Sequence, residues 1–299
     1  MRLSVRRAFL RIGLTCLLAA LAVSGFTKEA LGFQDGYFTT SDGVRLHYLI
    51  AGKGPFLLFE PGWLMPASIW KHQLTYFSNG FRVVALDPRG QGESEVPPKP
   101  FTVNRRAQDM VELTRHLRAR RVVWVGWSLG ASEVMALFKG AEASRTAAVV
   151  LVDGPVGMEA GQANRARRAK FLASLSQDRE GVIRHFVKSM FFSSQPQEFM
   201  DGVLASALRM PLDQAQAILR DMYEPASWRP AKTALTMPIL FVTTPTYLEQ
   251  AKYLKARVPR TRVEVFKDLG HALFVDDVPR FNKTVGDFLL RVGYEPLRP

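Results

Sequence analysis

Cysteine is nearly missing from this 299-residue chain: there is one, Cys16, inside an apolar run near the N-terminus. More apolar residues follow it, which is not the setting of a lipid-attachment site at the end of a signal. Beyond that run no thiol remains, so disulfides and thiol chemistry are excluded there. Long apolar runs are equally scarce. The one candidate, Ile12 to Val23, is shorter than the ~20 residues that cross a bilayer comfortably. Internal repeats and low-complexity segments are missing too. Acidic residues are outnumbered, 27 against 40 Lys and Arg, giving a net charge of +13. No stacked-aromatic or nucleic-acid motif accompanies that charge, so no nucleic-acid partner is expected. With 47% hydrophobic residues the chain is not disordered, and it can bury the core of one large domain carrying an insertion.

Four of the positive charges, Arg2, Arg6, Arg7 and Arg11, precede or open the apolar run, and small residues Ser24 and Gly25 follow it. This is the layout of an export signal over residues 1–30. Arg6-Arg7 with Phe9-Leu10 resembles a twin-arginine signal, which implies export machinery as a partner and a periplasmic or secreted protein. An uncleaved N-terminal membrane anchor is the alternative. The densest later cluster, Arg165, Arg167, Arg168 and Lys170, reads as the solvated face of a helix.

From residue 37 onward, short apolar runs alternate with helical stretches, separated by Gly, Pro and Asp. That alternation predicts an α/β fold with a mostly parallel central sheet flanked by helices. Strands are expected at Val44–Ile50, Phe56–Phe59, Arg82–Leu86, Val122–Val125, Ala147–Val152, Ile239–Val242 and Val263–Phe266. Helices are expected at Thr102–Arg120, Ala131–Lys139 and Arg280–Val292. Between about Pro155 and Pro230 strand runs stop, and helices at Arg179–Met190, Pro196–Leu208 and Leu212–Met222 predict an inserted helical cap. The division is then a core of residues 37–154 and 231–299 with a cap of residues 155–230.

Gly126-Trp127-Ser128-Leu129-Gly130 directly follows the buried strand Val122–Val125 and opens a helix. A serine at such a corner is thrust out in a strained turn, with flanking glycines because no side chain fits there. A serine nucleophile needs a base, and His271, in the loop Asp268-Leu269-Gly270 after the last strand, stands where open α/β sheets gather reacting groups. His47, His72, His116 and His185 fall in strand or helix positions and read as packing or surface residues. The tetrahedral intermediate needs two backbone N–H donors. Leu129, first in the new helix, offers one. Trp63, in Glu60-Pro61-Gly62-Trp63 after an early strand, offers the other, Gly62 permitting close backbone approach.

From Tyr37 to the C-terminus the chain resembles α/β-hydrolase fold enzymes. The elbow Gly126–Gly130, Trp70, the block Asp87-Pro88-Arg89-Gly90-Gln91-Gly92-Glu93-Ser94 and Gly270-His271 carry the likeness. The resemblance gives Asp87 and Arg89 structural roles beside the oxyanion loop. Two positions depart from the family pattern. Pro61-Gly62 replaces His-Gly, which leaves the backbone donor intact. After the strand Ile239–Val242, where the family places an aspartate, the chain reads Thr243-Thr244-Pro245-Thr246-Tyr247 without a carboxylate.

Three assignments of the acid stay open: Asp153 at the end of the strand after the nucleophile helix, Glu249 reaching back, or no acid. The expected activity is a serine hydrolase that forms an acyl-enzyme on Ser128 from an ester, thioester or lactone, with no cofactor and no metal. Met158, Phe171, Phe186, Met190, Phe191 and Phe192 in the cap suit a small-molecule substrate with an apolar acyl or alcohol part, although most such rings are expected to be cap core. Alternatives on the same scaffold are a carbon-carbon hydrolase, a cofactor-free haloperoxidase or lyase, and a non-catalytic binding protein.

Overall fold

A computed structural model describes residues 32–98 and 101–297. The expected export signal therefore lies outside the described residues. Eight strands form one sheet: β1 (Gln34–Thr39), β2 (Arg45–Ala51), β3 (Phe56–Glu60), β4 (Arg82–Leu86), β5 (Val122–Trp127), β6 (Thr146–Val152), β7 (Ile239–Thr243) and β8 (Arg262–Val265). Their spatial order is β1-β2-β4-β3-β5-β6-β7-β8. β1, β2 and β4 pair antiparallel, and every other pairing is parallel. The sequence explains the division. Every residue of β3, β5, β6 and β7 is buried, as strands covered on both faces require, and each reads as a continuous apolar run.

β1 escapes the sequence reading, because QDGYFT holds one buried residue, Phe38, and shows little alternation. It adds an edge strand before residue 37 and so starts the sheet earlier than expected. β8 begins and ends one residue before the expected strand.

Helices α1 (Lys71–Phe77), α2 (Val103–His116), α3 (Leu129–Ala136), α9 (Leu248–Arg257), α10 (Leu273–Asp276) and α11 (Val278–Arg291) connect or follow the strands. α2 stops four residues before the expected Arg120, because Arg118 adopts a left-handed backbone at φ 55°. Between β6 and β7 come five helices: α4 (Gln162–Gln177), α5 (Arg179–Ser189), α6 (Gln197–Arg209), α7 (Leu212–Met222) and α8 (Pro225–Trp228). α4 carries the arginine cluster and buries a single side chain, Leu175. Among the described residues no helix is long and apolar enough to cross a membrane.

Parallel strands point their carboxyl ends the same way, so the loops after β3, β5, β6, β7 and β8 emerge at one edge of the sheet. Those loops hold Trp63, Ser128, Asp153, Thr244 and His271.

Candidate active site

Ser128 follows β5 directly, with φ 57° and ψ −118°. A non-glycine residue at positive φ stores strain of order 1–3 kcal/mol and persists only where its surroundings enforce it. Here they do. Ser128 donates its backbone N–H to Val152 at the end of β6, at 2.9 Å. A β-carbon on Gly126 would meet the Gly130 carbonyl oxygen at 2.3 Å, and one on Gly130 would meet those of Glu60 and Pro61 at 2.6 and 2.7 Å. The two elbow glycines thus make room, the first for the turn itself and the second for the loop of Glu60 and Pro61. Gly62 closes the contact from the other side, since a β-carbon there would stand 3.0 Å from Ser128 Cβ.

His271 lies beside the elbow. Its carbonyl accepts Trp127 Nε1–H at 2.9 Å, and its ring centroid is 5.2 Å from that of Trp127. Tyr247 stacks on its other side at 5.5 Å with an interplanar angle of 17°. Burial, reinforced by the charge of Asp153, raises the Tyr247 phenol, which therefore stays neutral at working pH. Trp70 stacks on Phe274 at 3.9 Å, tying the early loop to the helix that follows His271.

The structure brings Asp153 to His271: Nδ1 is 2.7 Å from Asp153 Oδ2. A carboxylate can only accept, so Nδ1 carries the proton and Nε2 keeps its lone pair. Asp153 is 1% exposed, and its other oxygen is fully engaged. Oδ1 accepts from Thr244 N at 2.7 Å, Thr244 Oγ1 at 2.9 Å and Thr243 Oγ1 at 3.0 Å. The threonine pair that replaces a carboxylate after β7 thus supplies donors to a carboxylate arriving from β6. Its wording, Thr-Thr at a strand end lacking its acid, is the signal that could have singled these two out. Glu249 is placed elsewhere: it is exposed on α9 and pairs with Lys252 at 2.7 Å. Among the described residues no hydrogen bond joins Ser128 Oγ to His271 Nε2, a contact that often closes only with substrate bound.

Neither Trp63 N–H nor Leu129 N–H has an acceptor among the described residues. Leu129 opens α3, where the helix dipole adds positive potential. Trp63 is buried, and its indole donates to the Ala215 carbonyl of α7 at 2.9 Å. Its ring meets Phe171 and Phe186, edge to face, at 5.8 and 5.3 Å. Helices α4, α5 and α7 therefore sit directly on Trp63. Three further apolar side chains between β6 and β7 divide: Met190 is buried, Phe191 packs on Phe199 at 5.7 Å, and Phe192 is 66% exposed.

The loop after β4 is braced by charge. Asp87 Oδ1 accepts from Ala67 N at 2.5 Å and Oδ2 from Glu93 N at 2.9 Å. Arg89 makes two 2.6 Å hydrogen bonds to Asp109 and two more to Asp42, and Asp42 is held well below the usual carboxylate range, chiefly by that guanidinium. His47 is not a bland packing residue, for Nδ1 faces Asp87 at 2.6 Å and Nε2 faces Asp35 at 2.9 Å. Asp35, His47 and Glu93 bring ligand atoms within 4.8 Å of one another. Both ring nitrogens are already hydrogen bonded, so the group is an ion-pair cluster bracing β1 against this loop. His116 packs on Phe38 at 5.7 Å.

With this geometry in view, likeness to known proteins is informative. The profile of the alpha/beta hydrolase family matches residues 57–284. The chain is 38% identical over 120 residues to a non-heme chloroperoxidase of Streptomyces lividans, covering 39% of this chain and 44% of that protein. It is 38% identical over 109 residues to epoxide hydrolase 3 of Xenopus tropicalis, covering 35% and 29% respectively. The matched stretch thus spans less than half the length of either relative. A solved structure of a proposed aryl esterase from Burkholderia cenocepacia superposes with a TM-score of 0.76 at 25% identity, over 88% of this chain and 100% of that one. An eight-stranded, mostly parallel sheet with flanking helices and a profile match across most of its length place this chain in the alpha/beta hydrolase family.

Proposed function

We propose that the protein is a serine hydrolase of carboxylic esters, thioesters or lactones, working through an acyl-enzyme on Ser128. One observation carries the reading: the strained elbow serine follows Trp127, whose indole donates to the backbone of a histidine whose Nδ1 is 2.7 Å from a buried carboxylate. Ser128 Oγ attacks the substrate carbonyl while His271 Nε2 takes its proton. Asp153 keeps the imidazole in the required tautomer and stabilises the imidazolium that forms. The carbonyl oxygen becomes an oxyanion facing the N–H groups of Trp63 and Leu129. As the tetrahedral intermediate collapses and its C–O or C–S bond breaks, His271 gives its proton to the leaving oxygen or sulfur, releasing an alcohol or thiol, or the tethered hydroxyl of an opened lactone. Water, activated by the same histidine, attacks the acyl carbon and frees Ser128.

A hydroxyl rather than a carboxylate at the elbow favours acyl transfer over alkyl transfer. Helices α4–α8 act as a cap, with Phe171 and Phe186 over Trp63 favouring an apolar acyl or alcohol group. Residues 1–30 direct the protein to export, with a periplasmic or secreted destination; cell fractionation of the full chain checks this. The test of the chemistry is hydrolysis of p-nitrophenyl acetate through hexanoate. Wild type turns over and Ser128→Ala does not; retained turnover in Ser128→Ala would overturn the assignment.

Likeness to the Streptomyces chloroperoxidase supports a second reading. Hydrogen peroxide attacking the same acyl-enzyme in place of water releases a peracid, which then oxidises halide. Halogenation of a dye that requires peroxide, a carboxylic acid or ester and Ser128 together would favour it.

A further inference from the structure

Directly behind the candidate oxyanion loop lies a group of charges with no access to solvent. Glu60, the last residue of β3, and Glu133, on α3, are fully buried, and Arg106 of α2 is 1% exposed. Arg106 Nε is 2.7 Å from Glu133 Oε1, and its Nη2 is 3.7 Å from Glu60 Oε1. Nη1 reaches the other way and donates to Gln91 Oε1 at 2.9 Å. Burial, and next the charge of Glu133, raises Glu60 well above the usual carboxylate range. The same burial raises Glu133, so both carboxyl groups are pushed toward the neutral form that a sealed site favours, while Arg106 opposes the push on each.

Gln91, also fully buried, commits its whole amide to the oxyanion loop. Oε1 accepts Leu64 N–H at 3.0 Å, while Nε2 donates to the carbonyls of Gly62 at 3.1 Å and Met65 at 2.8 Å. Leu64 needs such a hold, since its φ is 63° in a residue with a branched side chain. The bond to Gly62 matters more. The Gly62 carbonyl and the Trp63 N–H belong to one peptide group, which is planar and trans, so fixing where the carbonyl points fixes the opposite direction for the N–H. Arg106 and the Leu64 N–H together determine which end of the Gln91 amide does this. A guanidinium has no acceptor, so it can meet only the amide oxygen, leaving the NH2 group for the two carbonyls.

We propose that Gln91 is a positioning residue that aims the Trp63 N–H at the oxyanion, and that Arg106 joins the Leu64 N–H in setting the sense of its amide. The inference rests on the serine hydrolase reading. Among the described residues the Gln91 side chain hydrogen bonds to Gly62, Leu64, Met65 and Arg106, so it acts through the Trp63 N–H on the charge that develops in the transition state. Loss of a whole oxyanion donor costs about 10²–10³ in kcat, and misaiming one should cost roughly ten- to a hundredfold.

The experiment compares wild type with Gln91→Leu, Gln91→Glu and Arg106→Lys. It measures kcat and KM on a p-nitrophenyl ester, inhibition by a trifluoromethyl ketone whose hydrated or serine-bound oxygen mimics the oxyanion, and melting temperature. Gln91→Glu is the informative variant, because it keeps the acceptor for Leu64 and Arg106 while putting a carboxylate oxygen in place of the NH2 group that donates to Gly62 and Met65. Expected is a fall in kcat of roughly ten- to a hundredfold, KM within about threefold, and trifluoromethyl ketone affinity falling in step with kcat/KM. Arg106→Lys should show the same pattern in a milder form. If Gln91→Leu does not fold, Gln91→Glu and Arg106→Lys decide the matter. Folded Gln91→Glu with wild-type kcat, or with a loss confined to KM and unchanged ketone affinity, overturns the proposal. A wild type that neither hydrolyses esters nor reacts with a fluorophosphonate instead overturns the serine hydrolase reading.

Discussion

Asp153→Asn separates an orienting acid from a merely structural one. Asp153 sits at φ 41°, a left-handed conformation that asparagine tolerates as well as aspartate, so the backbone should be undisturbed. The amide has only one way to lie. Three donors, Thr243 Oγ1, Thr244 Oγ1 and Thr244 N, converge on Oδ1, so the amide oxygen must stay there and the NH2 must replace Oδ2 opposite His271. An NH2 facing Nδ1 can only donate, which drives the imidazole proton onto Nε2. His271 then presents Ser128 with a hydrogen instead of a lone pair. Loss of the correct tautomer costs about 10⁴ in kcat in an enzyme with the same arrangement, equivalent to about 5 kcal/mol of barrier. Steady-state hydrolysis of a p-nitrophenyl ester measures it, with circular dichroism to confirm folding. A fall of about 10³–10⁴ in kcat with KM little changed is expected, and Glu249→Gln, on the exposed Lys252 pair, should match wild type. A folded Asp153→Asn losing less than about tenfold, or a large loss in Glu249→Gln, would refute the assignment.

Two other substitutions probe the scaffold. Gly130→Ala puts a β-carbon 2.6 Å from the Glu60 carbonyl and 2.7 Å from that of Pro61, both backbone atoms that cannot rotate away; overpacking of this kind costs about 1–3 kcal/mol. Tm should fall by roughly 3–10 °C and kcat at least tenfold as the oxyanion loop shifts, whereas unchanged values would contradict the close approach. His47 tests pH linkage. Burial alone would lower its pKa, but the hydrogen bond and charge of Asp87, with the Asp35 hydrogen bond, outweigh that and raise it above the ordinary 6.5. A raised folded pKa means the native state binds more protons, so this stabilisation is complete below about pH 6.5 and disappears as pH climbs through the folded value. The Tm of wild type should decline over that interval more than the Tm of His47→Gln; equal slopes would show that the imidazole gains nothing from its two carboxylates.

The elbow around Ser128 and the loop of His271 are legible because local structure imposes their sequence. Gly126 and Gly130 must be glycine for steric reasons, and the buried parallel strands must be apolar on both faces. Asp153 was legible only as one of three choices, because the choice depends on β6 and β7 being neighbours, which no local pattern encodes. Gln91 and Arg106 were invisible in their roles. Gln91 sits in a recognised block whose turn chemistry accounts for Asp87 and Arg89, and Arg106 is one of several arginines on a helix whose periodicity explains it equally well as a surface residue. α4 shows in the sequence only through the charged face of Arg165 to Lys170, because one buried residue in sixteen leaves little periodicity. α9 is short, with three buried residues in ten.

The central claim is that Ser128 is the acylated residue. Incubating the full chain with a fluorophosphonate, digesting it and locating the adduct by mass spectrometry tests this directly. The account predicts one stoichiometric adduct on the peptide containing Gly126-Trp127-Ser128-Leu129-Gly130, absent in Ser128→Ala and slowed in Asp153→Asn. An adduct on any other residue, or none on an otherwise folded wild type, would contradict it.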